Sequence, residues 1–428
     1  MTDCSLESRA PITVALPTLG CKANRYDSDT LARALAARGY QIVAPHASAD
    51  VYVINTCTVT GDADAKSRKA LRRAQRLNPL AKLIVTGCSA AFAPEKLLAI
   101  TGIDAVVSIS EQPRIPDIIT ALLPPVVSPN SAPPGLVTSI ARTRATVKIQ
   151  DGCNRRCAYC AVTLARGEVR SRALDEVIAE LRALVAAGIP EIVLTGIRLD
   201  AYGLDRDYRL ADLLDATRAL AIPRLRLSSL EPIGIDDRLV RSLTAHPTLC
   251  HHFHLCLQSG DDEVLHAMRR GYTADDYRRT LGALRTAMPE ATFTTDVIVG
   301  FPGESDAAFA RTCALVEEIG FIQLHIFKFS PRPGTAAATM QPQVADAVKD
   351  TRSQTLFALE RRLFRQYATS WLGRDVSVLV ERAGRQRYGL TPHYVRVCAP
   401  FPPAATGTLQ TVRITDIAED HLLGTLIA

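Results

Sequence analysis

Three cysteines lie within one short stretch of this chain, at Cys153, Cys157 and Cys160, in the spacing CxxxCxxC. Soft thiolate ligands select zinc or an iron-sulfur cluster over hard cations. A structural zinc site normally has four protein ligands, yet the next cysteine or histidine after Cys160 is His246. The open fourth position favours an iron-sulfur cluster, with a zinc knuckle or a chance group of buried thiols as the alternative.

Three further cysteines each follow a short apolar run that predicts a β-strand. Cys21 follows the run at residues 12–16, while Cys57 and Cys88 come directly after later runs. In an open parallel sheet the loops after the strands gather along one edge, where ligands bind. Any one of these cysteines alone is more simply interpreted as a half-buried thiol. Their equivalent positions together favour a second three-thiolate cluster.

The elements around these cysteines divide the chain into three predicted domains, which together give an α/β protein. Residues 11–123 alternate short apolar runs with amphipathic stretches, which predicts a small parallel α/β domain. Residues 124–140 are rich in proline and predict a semi-rigid linker. Residues 141–368 repeat strand and helix six times, which predicts a partial (βα)6 barrel. Residues 369–428 contain short strands with turn signals, which predict a small antiparallel β-barrel.

The predicted elements of the second domain can be placed by residue number. We expect helices at 173–187 and 273–288, and a charged helix at 344–367 before the tail. The six strands are expected near residues 145–150, 191–195, 224–228, 251–256, 292–296 and 322–327.

The composition indicates where in the cell the protein is expected. Eleven cysteines spread over 428 residues do not resemble the disulfide framework of a small secreted domain. The first ten residues lack the basic start and apolar run of a signal peptide, and no apolar stretch reaches the length of a membrane span. We therefore expect a cytoplasmic protein with no membrane partner. The net charge of +6 permits an acidic polymer as partner without requiring one.

The loop that holds Cys153, with Tyr159 before its last cysteine, resembles the cluster loop of radical S-adenosylmethionine (SAM) enzymes. In that superfamily three cysteines hold a 4Fe-4S cluster whose fourth iron binds SAM. The flanks at residues 147–152 and 165–172 resemble one branch of it, the methylthiotransferases. The resemblance covers residues 12–428 and implies two 4Fe-4S clusters, with Cys21, Cys57 and Cys88 holding the auxiliary one.

The resemblance also implies a SAM pocket at the carboxyl ends of the barrel strands, where sites on such scaffolds lie. Arg170 and Arg172 match a basic pair suited to the SAM carboxylate, because arginine presents a planar fork of donors. For the serine and glycine candidates, a cap or turn role is an equal alternative. The candidates for the pocket are Tyr159, Arg170, Arg172, Thr195, Gly196, Ser229, Glu231, Gln258 and Asp296.

Five positions near the pocket and the cluster loop depart from the family pattern. Arg198 and Asp200 stand where asparagine and glycine are expected, and Cys256 stands where proline is expected. Thr163 and Leu164 replace an Ile-Pro step beyond the cluster loop. These departures affect the expected loop shape and substrate contacts, since none of them is a ligand cysteine.

Two regions are candidates for RNA binding. A predicted helix between residues 61 and 78 places four basic side chains on one face, which suits a phosphate backbone, although a solvated surface helix is equally consistent. The tail around residues 389–397 resembles a strand of the TRAM domain, a tRNA-binding module, with a structural cap as the alternative. The RNA-binding candidates are Lys66, Lys69, Arg73, Arg76, Tyr394 and Arg396.

The resemblance implies a tRNA methylthiotransferase. One SAM donates a methyl group to sulfur at the auxiliary cluster, and another is cleaved to a deoxyadenosyl radical that activates carbon 2 of an adenosine at position 37, beside the anticodon. The motif from Leu19 to Lys22 resembles the branch that acts on N6-threonylcarbamoyladenosine. The expected partners are the tRNA anticodon loop, an electron donor such as flavodoxin or ferredoxin, and a sulfur source.

Three other functions stay open at this point. The substrate is isopentenyladenosine-37 of tRNA in one related branch and a ribosomal protein in another. A zinc-containing, non-catalytic RNA-binding protein is the third alternative, and iron content separates it from the enzymes.

Overall fold

A computed structural model describes residues 11–58, 61–124, 143–384 and 386–427. The chain forms two compact units. The first comprises residues 1–140 together with Leu164–Gly167, and the second comprises Ala141–Thr163 and Glu168–Ala428. The predicted linker at 124–140 lies, after Pro124, outside the described residues. Within the described ranges, no helix combines the length and apolarity needed to cross a membrane.

The first unit is a parallel five-stranded sheet covered by helices on both faces. Its strand order is β2-β1-β3-β4-β5, so the predicted small parallel domain is confirmed. The strands are β1 (Thr13–Ala15), β2 (Gln41–Val43), β3 (Val51–Thr56), β4 (Lys82–Gly87) and β5 (Ala105–Val106). The helices are α1 (Lys22–Ala37), α2 (Gly61–Leu77), α3 (Cys88–Phe92), α4 (Pro94–Leu98) and α5 (Ile115–Leu122).

Strand β3 is the centre of this sheet because its side chains enter both cores. Val51 and Val53 pack into the core that contains residues of α1 and α5, while Tyr52 and Ile54 pack into the core that contains residues of α2. Successive side chains of a strand point to opposite faces, and a strand buried on both faces reads as a continuous apolar run. The sheet therefore fixes where β3 ends, one residue before Cys57.

The second unit begins with parallel strands arranged as a partial barrel. Two parallel groups, β10-β9-β6 and β11-β12-β13-β14, carry its wall, and β7 pairs with β8 as a short antiparallel ribbon. Six strand regions were predicted, and all six are present. The strands are β6 (Arg144–Lys148), β7 (Gln150–Asp151), β8 (Arg170–Ser171), β9 (Glu191–Thr195), β10 (Leu225–Leu227), β11 (Ser229–Leu230), β12 (His252–Leu255), β13 (Thr292–Val299) and β14 (Gln323–Lys328).

One predicted strand differs in detail. The strand expected near residues 224–228 is interrupted at Ser228, so that β10 pairs with β9 while β11 pairs with β12. This break turns the chain from one parallel group to the other. It also brings Ser229 and Glu231, which follow the break, to the carboxyl end of the barrel wall.

Helices after the strands cover the barrel, and one large apolar core lies between them and the wall. The predicted helix at 273–288 is α11, whose first turn is closed by a capping box between Thr273 and Asp276. Such a box satisfies two backbone donors that a helix start leaves free. The last three residues of α6 (Val162–Arg166) belong to the first unit. The helices of the second unit are α7 (Leu174–Ala186), α8 (Leu210–Thr217), α9 (Asp237–Thr244), α10 (Asp262–Ala267), α11 (Ala274–Ala287), α12 (Asp306–Ile319) and α13 (Asp346–Thr369).

The tail forms a closed barrel of five strands in the order β15-β16-β17-β19-β18. Its pairs are antiparallel, as predicted, except that β17 and β19 run parallel. Closure leaves no exposed sheet edge. The strands are β15 (Asp375–Ala383), β16 (Gln386–Leu390), β17 (Arg396–Cys398), β18 (Leu409–Ile417) and β19 (Leu422–Leu426).

The turn between β16 and β17 packs under the amino ends of the parallel strands. The Tyr394 ring stacks on His252, with ring centroids 4.5 Å apart. Arg226 is fully buried, holds Glu191 at 2.7 Å and donates to the backbone carbonyls of Thr391 and Pro392. The five-stranded barrel is thus joined to the partial barrel by a buried ionic network.

Candidate iron-sulfur and cofactor sites

The three dispersed cysteines all lie at the carboxyl edge of the first sheet. Cys57 and Cys88 directly follow β3 and β4, which are neighbours, and Cys21 precedes α1 after β1. Cys57 and Cys88 are buried, whereas Cys21 is exposed. The pKa of Cys88 is raised to about 11, mainly by burial and also by the nearby thiols of Cys21 and Cys57. The first trio, Cys21, Cys57 and Cys88, is therefore brought together as the strand positions predicted.

Two glycines make this approach possible. Gly20 has φ +92°, and a Cβ built there would lie 2.8 Å from the Cβ of Cys57. Gly87 has φ +93°, and its Cβ would lie 2.4 Å from Asn55 Oδ1 and from the Thr56 carbonyl oxygen. Only glycine adopts such backbone angles without strain. The residues before Cys21 and Cys88 thus let the backbone pass directly over the neighbouring strand end.

A buried polar network surrounds the first trio. The Asn24 side-chain amide donates to the carbonyl oxygens of Leu19 and Thr56, at 2.8 and 2.9 Å. Its oxygen accepts from Arg166, which also pairs with Asp27 at 3.1 Å. Both charged side chains are almost fully buried. The positive charge of Arg166 opposes the effect of burial on the pKa of Cys88, which burial nevertheless raises.

The second trio, Cys153, Cys157 and Cys160, lies on a loop after β7. The Gln150 side chain donates to the carbonyl oxygens of Asp151 and Gly152, both at 2.7 Å, which holds the entrance of the loop. The Ala158 amide donates to the carbonyl of Met268 at 3.0 Å. All three cysteines are partly buried. Burial raises the pKa of Cys160 to about 12, although the Val162 amide at 3.4 Å opposes it.

Each trio offers three thiolates, a donor set that suits an iron-sulfur cluster. Among the described residues, two further groups have metal-binding atoms that all lie within 4.8 Å of one another, and these are His251–Glu290–His393 and His254–Cys256–Asp296. Neither includes a cysteine of either trio.

The most heavily bonded side chain beside the second trio is one that the sequence did not indicate. Arg270 donates to Cys157 Sγ at 3.3 Å and to the Tyr159 hydroxyl at 3.1 Å, and it pairs with Glu231. Glu231 and Tyr159 were predicted pocket residues, and Arg270 brings them together beside a predicted ligand. No spacing signal marks Arg270, because its partner Cys157 is distant in sequence.

A second polar group is formed by side chains of β12, β13 and β14, and Asp296 lies in the middle of β13, not at the strand end that the sequence predicted. Asp296 lies 3.3 Å from His254 Nε2 and 3.1 Å from His325 Nδ1, and Cys256 Sγ lies 3.8 Å from its other oxygen. Burial acts to raise the pKa of Asp296, but the hydrogen bonds with His254 and His325 outweigh it and hold that pKa below its usual range. Asp296 was predicted for this rim, whereas the two histidines were not.

The departures Arg198 and Asp200 belong to the same rim. Arg198 lies 3.1 Å from Asp200, whose other oxygen accepts the Glu231 amide at 3.1 Å. Burial raises the pKa of Asp200 from its usual 3.8 to about 6, with Arg198 opposing it. The two unexpected residues thus pair with each other and support the backbone at Glu231.

The remaining pocket candidates have mainly structural contacts. Arg172 donates to Glu180 at 2.6 Å and to the Lys148 carbonyl, while Arg170 is exposed on β8. A Cβ on Gly196 would lie 2.8 Å from Gln150 Oε1, so this glycine admits the side chain that holds the loop entrance. The other three lie at strand ends, and they are the buried Thr195, the partly buried Ser229 and the buried Gln258, which has φ +70°.

The RNA-binding candidates divide into two kinds. The four basic residues of α2 are all exposed, so their face is available to a phosphate backbone. Arg396 is exposed and lies over the Tyr388 ring at 4.7 Å. Tyr394 is stacked on His252 and also lies 5.2 Å from the Arg226 guanidinium. Its ring is therefore occupied by contacts within the protein.

Comparison with known protein families agrees with this architecture. Residues 13–108 match the uncharacterized protein family UPF0004, and residues 147–316 match the Radical SAM superfamily. The two matches contain the first and second trios, respectively.

Several characterised proteins are similar over nearly the whole chain. The threonylcarbamoyladenosine tRNA methylthiotransferase MtaB of Bacillus subtilis is 38% identical, covering 94% of this chain and 93% of that protein. MtaB of Thermotoga maritima is 36% identical, covering 96% of each. The ribosomal protein uS12 methylthiotransferase RimO of Roseiflexus sp. is 34% identical, also covering 96% of each.

The fold is shared with solved radical SAM structures. The radical SAM methyltransferase TsrM from Kitasatospora setae, solved with cobalamin and a [4Fe-4S] cluster, aligns with a TM-score of 0.58 and 18% identity over 77% of each chain. At this identity the likeness supports the fold alone.

Proposed function

This chain belongs to the radical SAM methylthiotransferase family, and on that premise we propose that it adds a methylthio group to carbon 2 of N6-threonylcarbamoyladenosine at position 37 of tRNA. The observation that carries the proposal is the presence of two groups of three cysteines in one chain, one at the carboxyl edge of a parallel sheet and one on the loop after β7. The threonylcarbamoyl substrate rests on the similarity to the MtaB proteins and on the motif from Leu19 to Lys22.

The two trios divide the work. In this proposal Cys153, Cys157 and Cys160 hold the cluster that binds SAM, and Cys21, Cys57 and Cys88 hold the auxiliary cluster. When bound, these groups supply the electron for SAM cleavage and the sulfur for transfer. The protein then has to hold the ligand thiolates, orient SAM and keep water away from the reacting atoms.

Several side chains around the second trio suit those tasks. Glu231 and Asp296 present carboxylates at the rim, where they can accept hydrogen bonds from the amino and hydroxyl groups of SAM. Arg270 fixes the position of Glu231, and His254 and His325 fix that of Asp296. Because most of these partners are buried, the rim is preorganised before SAM binds.

The tRNA partner is supported by two surfaces. Helix α2, which carries the exposed basic face, begins four residues after Cys57 in the unit that holds the first trio, and this suits the anticodon loop. The five-stranded barrel is of the kind that a TRAM domain has, and Arg396 is its exposed candidate contact. The proposal includes a cytoplasmic location, an electron donor such as flavodoxin or ferredoxin, and a sulfur source.

A ribosomal protein is the second candidate substrate, because RimO of Roseiflexus sp. is also similar over the full length. Isopentenyladenosine-37 of tRNA is the third. Mass spectrometry of tRNA nucleosides and of ribosomal protein uS12 from a deletion strain and a complemented strain separates the three substrates.

The test of the proposal is the iron and sulfide content of anaerobically purified protein, with Mössbauer spectra. We expect about eight irons in the wild type and about four after Cys153, Cys157 and Cys160 are replaced by alanine. The buried thiol Cys250 lies outside both trios, so Cys250→Ala is the matched control and should keep about eight irons. About four irons in the wild type, all lost in the triple variant, would contradict the methylthiotransferase activity, and zinc in place of iron would contradict radical chemistry.

A further inference from the structure

Arg270 has an unusual number of specific partners for one side chain. It is 3% exposed, and its Nε donates to the Tyr272 hydroxyl at 3.0 Å. One terminal nitrogen donates hydrogen bonds to Cys157 Sγ at 3.3 Å and to the Tyr159 hydroxyl at 3.1 Å. The other pairs with the Glu231 carboxylate. These four contacts together orient the planar guanidinium towards the second trio.

The backbone around Arg270 holds this orientation. Arg269 and Gly271 both have positive φ, at +60° and +72°, so the chain turns sharply on either side of it. The Met268 carbonyl accepts the Ala158 amide at 3.0 Å, and the Arg270 carbonyl accepts Arg155 Nη1 at 2.9 Å. The turn from 268 to 271 thus contacts the cysteine loop through two hydrogen bonds to its own backbone carbonyls and through the Arg270 side chain at Cys157.

A buried guanidinium that donates to a ligand sulfur has a predictable electrostatic effect. Reduction adds a negative charge to an iron-sulfur cluster, and hydrogen bonds to the sulfurs help to set its potential. A positive charge in a buried site favours the more negative, reduced state. The Glu231 carboxylate partly cancels that charge, since it pairs with the same guanidinium.

We propose that Arg270 is a positioning residue that holds the Cys157 corner of the cluster and makes its reduction easier, with Glu231 limiting the effect. This inference rests on the proposed function only in that the second trio holds a 4Fe-4S cluster. It predicts opposite shifts for two substitutions in one ion pair. Loss of the positive charge makes reduction harder, whereas loss of the negative charge makes it easier.

The experiment is a redox titration monitored by electron paramagnetic resonance, without SAM. The protein is the full chain with Cys21, Cys57 and Cys88 replaced by alanine, so that one cluster gives the signal. At a fixed potential, Arg270→Gln should lower the reduced-to-oxidised ratio at least about tenfold, which corresponds to 59 mV for one electron. Glu231→Gln should raise the ratio, and Arg270→Lys should lie between Arg270→Gln and the parent.

Arg269 provides the matched control, because it is the neighbouring arginine and is exposed. Arg269→Gln removes the same charge and should change the ratio less than about twofold. Equal ratios for Arg270→Gln, Arg270→Lys and the parent, all with about four irons, would overturn the inference while leaving the proposed function intact. If Arg270→Gln holds no iron, Glu231→Gln decides, and a ratio there that does not exceed that of the parent overturns the electrostatic role. A parent protein without iron would overturn both.

Discussion

Cys153, Cys157 and Cys160 occupy one short loop, whereas Cys21, Cys57 and Cys88 come from three different strand ends of a sheet. The second trio is defined by local sequence, and its three cysteines are partly buried. The first trio forms only when β1, β3 and β4 are paired in register, and two of its three cysteines are buried.

This difference implies different failure modes. A change that weakens the first sheet should disrupt the first trio before it affects the second trio, because the first trio depends on pairing between strands that are distant in sequence. Each trio nevertheless has a buried arginine beside it, Arg166 at the first and Arg270 at the second. The two sites thus share an electrostatic device while they differ in how their ligands are assembled.

The largest effect is expected from Arg166→Met, which removes the buried positive charge that pairs with Asp27. Breaking a buried pair on one side costs about 3–5 kcal/mol. We expect faster hydrogen-deuterium exchange across α1 and β4, with loss of about four irons, while the electron paramagnetic resonance signal of the second trio persists.

Two variants test the interpretation of that result. Asp27→Asn in the Arg166→Met background should restore part of the protection from hydrogen-deuterium exchange, since it also removes the negative charge of Asp27. Arg38→Met breaks the exposed Arg38–Asp117 pair in the same unit and should cost less than about 1 kcal/mol. Wild-type exchange in Arg166→Met would show that the pair does not support the site.

The next effect in size concerns Gly87. Alanine there combines a left-handed backbone with contacts of 2.4 Å, so we expect a loss of about 2–4 kcal/mol in the unfolding free energy of the first unit. Gly39 is a close control, because it has φ +89° but nothing within 4 Å of a built Cβ. Gly39→Ala should therefore cost only about 1–2 kcal/mol. Thermal unfolding measures both, and equal losses would show that the space before Cys88 is not restrictive.

The second region has its own pH signature through Asp200. Its pKa is raised on folding from 3.8 to about 6, mainly by burial, so the folded state binds the proton more tightly than the unfolded state. Its contribution to stability is then greatest below about pH 4 and decreases by about 3 kcal/mol as the pH rises to about 6. Asp200→Asn removes this dependence. The difference in unfolding free energy between wild type and variant, measured from pH 4 to 7, should change with that sign, and a constant difference would contradict it.

The smallest effect per residue is expected on the basic face of α2. Replacing Lys69 with alanine should weaken tRNA binding a few-fold and reduce the salt dependence of the affinity by about one phosphate contact. Arg396→Ala tests the five-stranded barrel in the same assay. If only Arg396→Ala weakens binding, the tRNA lies on the second unit and not beside the first trio. Filter binding at several salt concentrations measures both.

The sequence predicted the scaffold well because the scaffold depends on local periodicity. Apolar runs marked all six strand regions of the partial barrel, and the cysteines after strand ends marked the edge of the first sheet. Side-chain direction was not predictable in the same way. Arg270 and Arg166 act on partners more than a hundred residues away in sequence, and Arg172 turns to Glu180. The break at Ser228 depends on pairing with two different strands, which no local pattern records.

The turn that carries Tyr394 makes the tail inseparable from the partial barrel. Arg226 sends donors to the carbonyls of Thr391 and Pro392, and Thr292 donates to the His393 carbonyl at 2.8 Å. Cleavage before residue 369 would remove the Thr391 and Pro392 carbonyls from Arg226, which would keep Glu191 as a partner, and would open the floor of the barrel to water. The tail therefore cannot be trimmed to isolate its contribution to RNA affinity, and evolution cannot exchange it for another module without rebuilding that floor.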